Sequence, residues 1–186
     1  MNPNLPSNRN EAERRLFSTT RRLKKLNKFE NYDLVFKEWQ TENVIQEVSK
    51  EELEGVGGHY LCHHTVIKPE SATKSIRPVF DTSCKVGRAS SLNDYVFKGP
   101  NLFEEIPAIL LRFRERAIAV VFDIRRAFLQ TEVKEEEFLR FLWWKKTYKI
   151  KVYQHNRMLF GATYSPFFQR GYKEPFEQVS RNQNSY

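Results

Sequence analysis

Residues 117–130 read AIAVVFDIRRAFLQ. Ile118, Ala119, Val120, Val121 and Phe122 form a continuous apolar run rich in β-branched and aromatic residues. Such a run predicts a short buried strand. Asp123 stands at the mouth of that strand. A carboxylate there is costly to bury unpaired, so it calls for a partner or a cation. Arg125, Arg126, Ala127 and Phe128 follow, giving a turn and then a bulky ring. Two readings stand on this stretch alone. Asp123 holds a divalent cation beside a nucleotide, or it caps the next helical turn.

Upstream, residues 102–116 predict an amphipathic helix with Ile106, Ile109, Leu110 and Phe113 on one face. Arginines 112, 114 and 116 gather near its end, where cations complement the helix dipole. Pro107 fits only in its first turn. Downstream, an acidic cluster (Glu132, Glu135, Glu136, Glu137) precedes two apolar stretches, 138–144 and 148–154, read as a hairpin. Residues 157–169 run from strand through Gly161 to a helix start, with Ser165 as N-cap and Pro166 in the first turn. The tail from Gly171 to Tyr186 loses its apolar pattern after Phe176 and predicts a frayed end.

Further out, residues 1–8 are polar and expected to be disordered. Ala12, Leu16, Thr19, Leu23 and Leu26 predict a helix from Asn10 onward, and its other face is crowded with arginine and lysine. That face is either simply solvated or a contact for a phosphate backbone. A second helix is predicted over residues 31–46, with Tyr32, Val35, Phe36 and Trp39 facing the core. Residues 59–68 and 77–81 predict a hairpin with Lys68, Lys74 and Arg77 near its tip, suiting a polyphosphate or plain exposure to water. Alternation would put His59 and His63 on one face and Cys62 and His64 on the other, and no second ligand pair follows at zinc-finger spacing.

The 186 residues suffice for one large or two small domains, and 40% hydrophobic content supports a packed core. An excess of 31 lysines and arginines over 23 acids, net +8, favours an acidic partner, nucleic acid ahead of a membrane. Two cysteines make no disulfide framework, and no apolar run approaches a membrane span. The expected location is intracellular, cytoplasm or nucleus, and not secreted.

The order of these pieces resembles the reverse transcriptases of long-terminal-repeat retrotransposons, most closely the Pao/BEL group. The resemblance rests on His63-His64-Thr-Val-Ile-Lys68-Pro69, Arg77-Pro-Val-Phe-Asp81 with Ser91-Leu92-Asn93-Asp94, Phe122-Asp123-Ile-Arg-Arg-Ala127-Phe128-Leu-Gln130, and Phe160-Gly161 with Ser165-Pro166-Phe167. It implies an α+β chain with an incomplete right-hand polymerase fold: N-terminal helices and fingers over residues 1–100 and the first part of the palm over 101–186. It implies Asp123 as catalytic residue and ligand of Mg²⁺ or Mn²⁺, with the carbonyl of Ile124 beside it. Lys68, Arg77, Ala127, Phe128 and Gly161 are implied contacts of the incoming deoxynucleoside triphosphate, Phe128 as the ring beneath the sugar. Asn93, Arg157, Ser165 and Pro166 are implied contacts of an RNA or DNA primer–template. The family's second metal-binding motif, a pair of adjacent aspartates after the Ser165 helix, does not occur in these 186 residues. One carboxylate does not make a two-metal site, so the chain by itself is expected not to polymerise DNA. The alternative reading is a non-catalytic nucleic-acid-binding remnant of a transposable element.

Overall fold

The computed structural model describes residues 5–53, 58–70, 75–96, 101–121, 124, 126–133, 139–145, 149–159, 161–163 and 165. Asp123, Arg125, Pro166, Lys74, the cluster at Glu135, Glu136 and Glu137, and the tail beyond Gly171 lie outside them.

Helix α1 (Arg9–Lys25) buries Ala12, Leu16 and Leu23 with Thr19 and Thr20, following the three-to-four spacing of its apolar residues. Helix α2 (Phe29–Thr41) buries Tyr32, Val35 and Phe36. The chain leaves each helix through an asparagine in the left-handed region, Asn27 at φ 50° and Asn43 at φ 52°, a conformation asparagine tolerates better than most residues. Strand β1 (Ile45–Glu47) follows, then β2 (Cys62–Ile67) and β3 (Ile76–Asp81). A short helix α3 (Leu92–Tyr95), a 3-10 turn at Leu102–Glu105 and helix α4 (Ile106–Phe113) come next. A second 3-10 turn at Ala127–Gln130 precedes strands β4 (Arg140–Lys145) and β5 (Lys149–His155). The fold class is α+β.

Strands β2 and β3 form an antiparallel hairpin from Cys62 opposite Asp81 to Ile67 opposite Ile76. Strands β1, β5 and β4 form a second antiparallel sheet with β5 in the middle. A parallel bridge between Leu61 and Phe141 joins the two, with Leu61 N donating to Arg140 O at 2.7 Å. Both helices hold β4 through adjacent tryptophans, whose side chains alternate across a strand. Trp143 Nε1 donates to Asp33 of α2 at 2.9 Å, and Trp144 Nε1 donates to Thr20 of α1 at 2.7 Å. The core is aromatic. Trp143, Tyr32 and Phe141 are among its largest fully buried side chains, and the rings of Phe36, Phe80 and Phe141 surround His63.

Several expectations need correction. Residues 118–121 are not a strand, and Ile118, Val120 and Val121 are 83%, 64% and 79% exposed. The run has strand chemistry, but a strand also needs a neighbour to satisfy its amides, and among the described residues none lies alongside. The helix expected over 102–116 is a 3-10 turn and then α4, because Pro107 starts the α-helix at its first or second position. The helix expected over 31–46 stops at Thr41, and Ile45 to Glu47 pair instead with β5. Residues 5–8 are not disordered. Leu5 and Asn8 are buried, and the Asn8 side chain imitates a strand neighbour, its amide donating to Tyr60 O at 2.7 Å and its carbonyl accepting from Tyr60 N at 2.6 Å.

Candidate nucleotide and nucleic-acid site

Gly161 is the point on which two of the motif pieces meet, the one around β3 and Asn93 and the one around Gly161 itself. Its φ is +100°, a region that L side chains rarely adopt, and a Cβ built there would lie 3.0 Å from the backbone oxygen of Phe80. The Gly161 carbonyl accepts from Thr82 Oγ1 at 2.8 Å. Two residues on, Thr163 donates from its amide to Asn93 Oδ1 at 3.1 Å. Asn93 in turn donates through Nδ2 to Ser83 Oγ at 2.8 Å. The end of β3, the loop after it, α3 and residues 161–163 are thereby tied into one clasp across some eighty positions of sequence.

Helix α3 is set by a capping box. Asp94 reaches back to Ser91 N at 2.8 Å and Lys85 Nζ meets the same carboxylate at 2.7 Å. Lys85, and then the Ser91 amide and hydroxyl, hold the Asp94 carboxyl down at about 2. The residue that fixes Asn93 on the clasp is therefore anionic throughout the ordinary pH range.

The residues the sequence singled out do not gather at one place. Lys68 and Arg77 are exposed near the tip of the β2–β3 hairpin, where Lys68 N donates to Ser75 O at 2.8 Å. Gly161 and Asn93 lie in the clasp, and the Asn93 carboxamide is spent inside the fold. Ser165 is buried, and its hydroxyl donates to Leu159 O at 2.7 Å, which draws it toward its own upstream chain. Ala127 and Phe128 sit on the 3-10 turn, with Phe128 partly buried against the core. Ile124 is 62% exposed. Arg157 pairs with Glu132 at 3.1 Å. Asp123 and Pro166 lie outside the described residues.

Arg126 has a role its sequence position did not disclose. It stands at φ 52°, a left-handed conformation costly for an arginine, and its guanidinium binds Glu42 beyond the end of α2 at 2.6 Å. The turn that follows Asp123 is moored to α2 by this pair. The histidines and cysteines make no metal group. Among the described residues no three His, Cys, Asp or Glu side chains come together. His63 Nε2 lies 2.9 Å from Leu142 O and Nδ1 lies 2.9 Å from Tyr32 OH, which fits a neutral ring donating to the carbonyl and accepting from the phenol. Burial lowers His63 to about 4 and His155 to about 3. Cys62 and Cys84 are buried with their sulfurs 3.2 Å apart, and burial pushes the Cys62 thiol up. His64, which shares a face with Cys62, is exposed.

A groove of about 760 Å³ lies elsewhere, with Phe36, Trp143 and Tyr153 in its wall. Two of its carboxylates are paired, Asp33 with Lys37 and Glu47 with Lys145 and Lys151. None of the residues singled out for chemistry lines it. No protein-family model matches the chain, and no curated protein matches it. Among the described residues no helix is long and apolar enough to cross a membrane.

Proposed function

We propose that this chain is a fingers-and-palm piece of a reverse-transcriptase-like polymerase, and that its working property by itself is to hold a primer–template and an incoming nucleoside triphosphate rather than to join them. The observation that carries the reading is the clasp at Gly161. A glycine without room for a Cβ packs bare backbone against Phe80 near the end of β3. By resemblance this is the glycine at which backbone passes close to the nucleotide. Lys68 and Arg77 on the exposed hairpin supply positive charge to a triphosphate, and the Phe128 ring supplies a flat apolar surface for a sugar. In the family, divalent cations would sit at Asp123 and the Ile124 carbonyl and stabilise the attacking and leaving oxygens. No pair of adjacent aspartates follows Ser165 in these 186 residues, so this chain's own residues are assigned binding and orientation alone.

The test is fluorescence anisotropy with a labelled RNA–DNA duplex at 50 to 200 mM salt. Each phosphate contact releases counterions, so affinity should fall steeply and linearly on a log–log plot. Lys68→Glu with Arg77→Glu should weaken binding ~10-fold or more and reduce the salt slope by about 2. Binding that ignores salt, or that the double variant leaves intact, refutes the reading. In primer extension the chain should give no more product than Asp123→Asn.

A further inference from the structure

The two cysteines of the chain lie 22 positions apart in sequence and meet in the fold. Asp81 brings them together. It ends β3 directly opposite Cys62, the first residue of β2. Its carboxylate accepts from Ser83 N at 3.1 Å, and its main-chain oxygen accepts from Cys84 N at 3.3 Å. An aspartate that accepts from the amide two residues on closes a turn by itself. That turn lays the Cys84 sulfur 3.2 Å from the Cys62 sulfur, and both residues are buried. The same loop carries the anchors of the clasp. Thr82 holds Gly161, Ser83 holds Asn93, and Lys85 holds Asp94, so Cys84 stands among all three.

We propose that Cys62 and Cys84 are a reversible dithiol–disulfide pair, and that their oxidation by a low-molecular-weight disulfide staples the clasp loop to β2. One cysteine, as thiolate, attacks a sulfur of the oxidant, whose S–S bond breaks and releases one half as a thiolate that takes up a proton. The second cysteine, as thiolate, attacks the protein sulfur of the mixed disulfide and releases the other half as thiol. The pair loses two electrons and two protons, and the oxidant gains both. Burial pushes the Cys62 thiol up, its hydrogen bond to Cys84 adds to this, and Arg15 of α1 opposes it. Exchange on the folded chain is therefore slow, and oxidation proceeds as the loop opens or as the chain folds. The equilibrium is set by the geometry. The fold holds each thiol against the other at an effective concentration that the unfolded chain does not reach.

The test equilibrates the full chain with reduced and oxidised glutathione, once by refolding into buffer and once unfolded in urea, and reads the acid-quenched products by mass. The folded chain should lose two hydrogens as a monomer, with an equilibrium constant ~100-fold or more above the value in urea. Linkage then requires the urea midpoint of the oxidised chain to lie above that of the reduced chain. The amides of Cys84 and Asn93 donate to Asp81 O and Thr82 O, and their hydrogen exchange should slow ~10-fold on oxidation. Equal constants for the folded and unfolded chain overturn the proposal. So does a product that keeps glutathione or links two chains, or exchange at Cys84 and Asn93 that oxidation leaves unchanged.

Discussion

Two histidines govern how this protein meets acid. His63 has both ring nitrogens engaged, whereas neither nitrogen of His155 has a partner. Both are fully buried and neutral in the folded state, lowered from 6.5 to about 4 and about 3. As pH falls through 6.5 the unfolded chain takes up protons that the folded chain refuses, so stability is complete above that pH and is lost from about 6.5 down to about 4 for His63 and about 3 for His155. At ~1.4 kcal/mol per pKa unit, the rings contribute on the order of 3 to 5 kcal/mol each to this loss. Urea midpoints measured at pH 7.5 and 4.5 should therefore differ, and His155→Phe should flatten the dependence, since that ring forfeits no hydrogen bond. A second expectation concerns the thiols. Cys62 and Cys84 are buried, and the thiolate at Cys62 is strongly disfavoured. Iodoacetamide at pH 8 should label neither until urea unfolds the chain, and rapid native labelling would show the loop after β3 to be open.

At the scale of elements, the clasp and the sheet make separate predictions. Gly161→Ala places a methyl 3.0 Å from a carbonyl oxygen at a φ of +100°, so it should destabilise by about 1–3 kcal/mol, read from a denaturant curve. Asp94→Ala removes the cap of α3 and should cost about 1 kcal/mol while loosening Asn93. Local pattern disclosed what local physics determines. The periodicities of α1 and α2, the hairpin tip at Lys68 and Arg77, and the β4–β5 pair all follow from spacing within about fifteen residues. Strand β1 could not be read that way: three residues carry no period, and Ile45 to Glu47 become a strand only because β5 lies beside them. The reverse held for residues 118–121, whose composition suits a strand that finds no partner among the described residues. The Arg126–Glu42 mooring spans 84 positions, and its sequence signal was an arginine among arginines.

For the whole molecule, the net charge of +8 matters through where it is exposed. Arg14 and Arg15 of α1 are both bound to Glu11, which removes part of the basic face from any role with phosphate. The exposed cations of the β2–β3 hairpin are better placed for one. A nucleic-acid duplex at ~100 times its dissociation constant should stabilise the fold by ~2.7 kcal/mol. That appears as a rise in the melting temperature which vanishes as salt increases. The candidate site was legible as a set of motifs but not as a geometry. The sequence marks Gly161 and Asn93 separately, and only the bonds of Gly161 to Thr82 and of Asn93 to Thr163 show that they lie together.

Strand order also dictates when this protein can become itself during synthesis. Strand β5 lies at the centre of its sheet and is the last strand of the described chain to leave the ribosome, yet β1 has no other partner in that sheet. Ile45 waits for His155, and Asp33 waits for Trp143. For roughly a hundred residues of translation, at ~5–20 residues per second, α1 and α2 have only each other, β1 and the β2–β3 hairpin to pack against, and the apolar surface that β4 covers stays open. Folding dominated by such distant pairings is slow, and the nascent chain is open to chaperones and proteases for seconds. Ribosome-bound chains stopped shortly after residue 130 should therefore be cut readily by protease. Those carrying β5 clear of the exit tunnel should resist it.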